Sequence, residues 1–214
     1  MKTFKISIKL LVLIITLVIF SCKKDKNNIK SSFDINNPKG YAIIYKYRNV
    51  SPSTTIAVFN ESNKVTYGGT HTRGIASFRV SNDQLILDDD GIDLVFKIEN
   101  EKIVSFSDNI KTAELIKIPD ENQLLAKTFT GTYFNKDGSI LHPKFFYKFE
   151  TYTNKVDAGY DVGTTVRTEN YTSMGNVAAF IQNNGYVEFI IKMPDGTIES
   201  NYSSKNSNAY GVFK

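Results

Sequence analysis

Cysteine occurs once in these 214 residues, histidine twice and proline five times. A single cysteine, Cys22, excludes an internal disulfide, and beyond it the chain has no thiolate nucleophile and no cysteine metal site. Stability must then come from the apolar core. The two histidines, His71 in Gly-Gly-Thr-His-Thr-Arg-Gly and His142 in Leu-His-Pro-Lys, have no second ligand at a His-x-His or His-x-x-x-His spacing. Each reads as a turn or edge-strand residue rather than a metal ligand. Ser173, in Tyr-Thr-Ser-Met-Gly, lacks the first glycine of a Gly-x-Ser-x-Gly nucleophile elbow. No glycine-rich phosphate loop leads from a strand into a helix, so nucleotide binding has no support and no cofactor is expected.

A basic excess is also missing. The chain carries 26 Lys and Arg against 22 Asp and Glu, but seven of the basic residues fall in residues 1–30 with only Asp25 opposing them. From Ser31 onward, 19 basic residues face 21 acidic ones. A nucleic-acid binder needs a positive face to neutralise phosphates, and this composition excludes one on average.

What is present begins with Lys2, Lys5 and Lys9, followed by an apolar run from Leu10 to Phe20 broken only by Thr16. About 20 apolar residues are needed to cross a bilayer, so this run is short for a span. It has the length of a secretory signal core. Its ending, Leu17-Val18-Ile19-Phe20-Ser21-Cys22, resembles a bacterial lipobox, and Ser-Cys-Lys-Lys-Asp is similar to the start of many Bacteroidota lipoproteins. The resemblance implies cleavage of residues 1–21 and lipidation of Cys22. Lys23 after the modified cysteine implies the outer membrane, and the mostly basic Lys-Lys-Asp-Lys that follows implies a domain facing the periplasm. Residues 22–40, polar and rich in Asn and Lys, read as a flexible tether.

From Tyr41 to Lys214 the period becomes two. Tyr41, Ile43, Tyr45 and Tyr47 alternate with Ala42, Ile44, Lys46 and Arg48; Ile92, Leu94, Phe96 and Ile98 alternate with Asp93, Val95 and Lys97. Val187, Phe189, Ile191 and Met193 alternate with Glu188, Ile190 and Lys192. Such patterns predict half-buried strands, and the intervening Asn-Gly, Asp-Gly and Asn-Asp signals predict tight hairpins. Residues 119–127, starting with Pro and acids and ending with lysine, predict a short helix between halves 41–118 and 128–214. The expected fold is all-β: one antiparallel barrel of about 8–10 strands with that helix, or alternatively two packed antiparallel sub-sheets. The repeated hairpins and the Gly131-Thr132-Tyr133 opening resemble lipocalins, which implies a barrel able to hold one small ligand.

Three clusters invite functional readings. Asp88-Asp89-Asp90-Gly91-Ile92-Asp93 would need an oxygen ligand at 86 and Glu at 97 to be an EF-hand loop, but has Ile86 and Lys97; it reads as a solvated hairpin. Glu150, Asp157, Asp161 and Glu169 could supply the carboxylate pair that a glycosidase requires. In Phe145-Phe146-Tyr147-Lys148-Phe149 the odd positions share a face, and Tyr133, Phe145, Tyr147 and Phe149 are the candidate ligand-lining residues. The expected function is therefore a non-catalytic lipoprotein binding a small apolar ligand, a glycan or an envelope partner. The alternative is an envelope or polysaccharide hydrolase using a carboxylate pair, His71 or His142.

Overall fold

The computed structural model describes residues 33–214 apart from 51–52, 62, 71–72 and 90. Residues 1–32, which hold the expected leader and Cys22, and His71 lie outside the described residues. Eight strands form one antiparallel sheet: β1 (Tyr41–Tyr47), β2 (Thr54–Phe59), β3 (Lys64–Gly69), β4 (Arg73–Ser81), β5 (Gln84–Asp89), β6 (Ile92–Glu99), β7 (Lys102–Phe106) and β8 (Ile110–Lys117), in the order β7-β6-β5-β4-β3-β2-β1-β8. Nine form a second: β9 (Thr128–Asn135), β10 (Ile140–Phe149), β11 (Lys155–Asp161), β12 (Thr164–Asn170), β13 (Thr172–Met174), β14 (Ala178–Asn183), β15 (Tyr186–Lys192), β16 (Ile198–Ser204) and β17 (Asn208–Phe213). Their order is β12-β11-β10-β9-β17-β16-β15-β14-β13. Each sheet curls until its edge strands approach one another, giving two nearly closed, barrel-like sheets in place of a single barrel of eight to ten strands. Short sequential hairpins make this wiring the natural one, since neighbours in sequence can pair without long loops.

Three packed clusters account for the strand periodicity. Tyr41, Ile43 and Tyr45 point into the first sheet with Phe59, Phe78, Leu94 and Phe96. Phe129, Tyr133, Tyr147, Phe149 and Phe213 fill the second. Between the sheets, Ala42, Ile44 and Ile56 meet Met174, Ala178, Phe180, Phe189 and Ile191. Strands β1, β2, β14 and β15 are therefore buried on both faces, which is why Ala42 and Ile44 are apolar where an exterior face would be polar. Phe33 and Ile35, within the segment read as tether, pack against the first sheet's core.

The short helix expected at 119–127 is not formed; no helix occurs among the described residues. Asn122 Oδ1 accepts from the Leu124 amide at 3.0 Å, Lys127 N–H reaches Leu124 O at 3.2 Å, and Ala126 adopts φ 59°. These local bonds close a turn before a helical ladder can start, the competition that Asn sets up with helix. The segment's remaining polar groups pair with the second sheet: Gln123 N–H donates to Asn176 O, and Asn176 Nδ2 donates to Pro119 O at 2.9 Å. The turn drives Leu124, wholly buried, into the end of the second sheet's core beside Phe129 and Phe149. That end is plugged. The site lies at the other.

Candidate functional site

Strand β10 runs from the open end of the second sheet to the plugged one. Near its start the ladder with β9 is irregular: His142 pairs with Tyr133 and Phe145 with Gly131, so three steps on β10 match two on β9. Pro143, which has no N–H to give, occupies this bulge, and its carbonyl accepts from Thr132 Oγ1 at 3.0 Å. The extra residue brings His142 and Phe145, odd-spaced in sequence, onto the same inward face. Their rings lie 5.9 Å apart and nearly parallel, and Tyr160 from β11 sits 4.7 Å from His142. Gly131 is required opposite Phe145, because an added Cβ would come 2.3 Å from the Val212 carbonyl oxygen.

His142, Phe145 and Tyr160 line a cavity of about 350 Å³, with Leu141, Val166 and Tyr202 at its mouth and Tyr133, Arg167 and Glu188 at its floor. That volume is at the lower end of small-molecule sites. The walls are mostly aromatic and aliphatic.

The floor is a polar cluster inside an apolar core. Glu188 has no solvent exposure. Its Oε1 accepts from the Tyr133 hydroxyl at 2.7 Å and from the Tyr147 hydroxyl, and its Oε2 accepts from Arg167 Nη2 at 2.6 Å. Ser200 Oγ lies 2.6 Å from the Tyr133 hydroxyl and 2.8 Å from that of Tyr147, closing the ring of donors. Arg167 Nη1 donates to the Tyr186 hydroxyl at 3.3 Å, and Tyr186 in turn donates to Glu169. Burial, followed by the negative charge of Glu188, holds the Tyr133 and Tyr147 hydroxyls well above the usual tyrosine pKa. For Arg167, burial works against the charge, but Glu188 outweighs it and the guanidinium stays protonated.

The same cluster bridges the seam of the sheet. Strand β13 pairs with β14 only at residues 178–180, so the end of β14 has no ladder partner on the side where β12 approaches. Arg167 and Glu169 of β12 reach across to Tyr186 and Glu188 of β15, and Asn183 Nδ2 donates to Glu169 Oε2 at 3.3 Å. Side chains replace backbone pairing there.

No protein-family model matches the chain, and no curated protein sequence matches it.

Of the candidate lining residues, Tyr133 and Phe145 line the cavity; Tyr147 lies behind them, bonded to Glu188. Phe149 is at the far end against Phe129 and Tyr171, away from the cavity. His142, read as an edge-strand residue, lines the cavity against rings rather than a carboxylate. The four carboxylates do not converge: Glu150 accepts from Thr153, Asp157 from Thr168 and Glu169 from Tyr186, while Asp161 borders a separate cleft. In the acidic hairpin, Asp88 accepts from the Gly91 amide at 3.0 Å and Asp93 pairs with Arg79. Among the described residues no three His, Cys, Asp or Glu side chains gather as a metal site.

Sequence reasoning missed Arg167 and Glu188. Glu188 alternates with Val187 and Phe189 and so reads as a solvent-facing residue; the one contrary signal is Ile190, apolar on the same face.

Proposed function

We propose that this chain is a lipid-anchored binding protein, held to the outer membrane through Cys22 on the periplasmic side. Its second sheet takes a small neutral ligand in a lipocalin-like manner, at the open mouth of a barrel. The observation that carries the reading is the aromatic cavity of about 350 Å³ closed below by the Arg167–Glu188 pair. His142, Phe145, Tyr160 and Tyr202 offer ring faces for an apolar surface of the ligand. A guanidinium has five N–H donors; here one goes to Glu188 and one to Tyr186. The remaining donors favour a ligand that carries an acceptor. Glu188 already neutralises Arg167, so a carboxylate or other full anion would meet a like charge buried in low dielectric. The favoured ligand is a mostly apolar molecule bearing a carbonyl, hydroxyl or ether oxygen.

The test is fluorescence titration with N-phenyl-1-naphthylamine, a neutral apolar dye. Saturable enhancement with one site, weakened by Tyr160→Ala and Val166→Asp at the exposed rim, is the expected result. Enhancement that stays linear with dye, or that neither variant changes, contradicts the reading.

A further inference from the structure

A second cleft lies on the outer face of the second sheet, where it meets the first. About 230 Å³ in volume, it is lined by Lys46, Arg48 and Lys111 from the first sheet's strands β1 and β8 and the turn after β1. From β16 come Glu199 and Asn201. Three cations thus face one carboxylate. Glu199 is spoken for: Oε1 accepts from Lys46 Nζ and Oε2 from Thr54 Oγ1. The Arg48 guanidinium donates to two backbone carbonyls, Asp108 O at 3.0 Å and Ile110 O at 3.3 Å, which fix its position without cancelling its charge.

Asn201 is the independent observation. It is 1% exposed, and its Nδ2 donates to no acceptor among the described residues. Buried polar groups are almost always hydrogen-bonded, so an amide donor left open on the wall of a cleft is a place for an acceptor to arrive. Alternation along β16 explains the placement. Ile198, Ser200 and Tyr202 face into the second sheet, which leaves Glu199 and Asn201 facing out toward β1 and β2. The register sets Asn201 between Phe189 and Tyr210 on the two neighbouring strands.

We infer that this cleft is a binding site for a phosphoryl group, with Arg48, Lys111 and the Asn201 amide as its donors. The excess of two positive charges matches a phosphate dianion. A planar guanidinium can hold two of the oxygens in its fork, and a lysine supplies a movable point charge. Of the residues that line the cleft, only Ser200 also belongs to the floor of the aromatic cavity, its hydroxyl turned to the other face of β16; the site stands whether or not that cavity binds a ligand.

The test is an NMR titration of the ¹⁵N-labelled protein, following the Asn201 side-chain amide at constant ionic strength maintained with chloride. Inorganic phosphate is added in one arm and dihexanoyl-phosphatidylglycerol, below its micelle-forming concentration, in the other. A saturable shift in the phosphate arm assigns the site to free phosphate or monoesters; saturation in the lipid arm alone assigns it to a membrane headgroup. Arg48→Ala combined with Lys111→Ala, both exposed positions, should weaken the saturable arm about tenfold or more, equivalent to at least about 1.4 kcal/mol. No saturable shift in either arm, or equal affinity in the double variant, overturns the inference.

Discussion

Glu188 sits where a period-two pattern puts solvent, yet it is the most enclosed charge in the described structure, with Arg167, Tyr133, Tyr147 and Ser200 all directed at it. Removing one partner of such a pair strands the other without water, which costs about 3–5 kcal/mol, whereas replacing both with apolar groups of similar size costs far less. Glu188→Leu and Arg167→Met should each lower the urea-unfolding free energy by amounts of that order, somewhat less for Arg167 because its side chain is 21% exposed. The double variant should lose clearly less than the sum of the two, a coupling that a double-mutant cycle reads directly. A second consequence concerns alkali. A tyrosine whose folded pKa is raised contributes stability that is intact below the unfolded value of about 10 and is lost as pH climbs beyond it toward the folded pKa. Stability should therefore be flat in this respect up to about pH 10 and fall above it. Spectroscopic titration of the 12 tyrosines should show Tyr133 and Tyr147 ionising only as the protein unfolds.

At the scale of elements, the turn at 122–126 and the bulge on β10 decide the architecture of the second sheet's two ends. Ala126 is held at φ 59°, a left-handed conformation that costs a residue with a Cβ about 1–2 kcal/mol and glycine little. Ala126→Gly should raise the unfolding free energy by up to about 1 kcal/mol, checked by the urea midpoint at unchanged slope. A helical substitute would lower it. Strands were legible in the sequence because alternation, β-branched residues and Asn-Gly or Asp-Gly turns all agree at segments such as 41–47, 92–98 and 186–192. The missing helix was not: Pro119, Asp120 and Glu121 are sound helix openers, and only tertiary contacts from Asn176, 50 or more residues away, reveal that the backbone has other partners. The bulge was equally hidden. Strict alternation puts His142 opposite to Phe145; one inserted residue, at Pro143-Lys144, reverses that and creates the aromatic mouth.

At the scale of the whole molecule, two barrel-like sheets share an apolar interface in which Phe189 and Ile44 are almost wholly enclosed. The doubly buried strands left a trace in the sequence, since Ala42, Ile44 and Ile190 are apolar on the face that ordinary patterning reserves for polar residues. What the sequence could not convey was pairing between distant strands, and hence that Arg167 meets Glu188 across a seam. Phe189→Ala opens a cavity between the sheets and should cost about 3–5 kcal/mol, with both sheets losing their near-native signals in one transition rather than two. The cavity at the mouth of the second sheet is tested most directly by native mass spectrometry of the gently purified protein. A defined mass excess over the covalent mass of the chain, released on denaturation and absent from an Ala209→Phe variant that fills the cavity while keeping a folded charge-state distribution, is the expected result. The same mass for both proteins, with nothing released on denaturation, would contradict it.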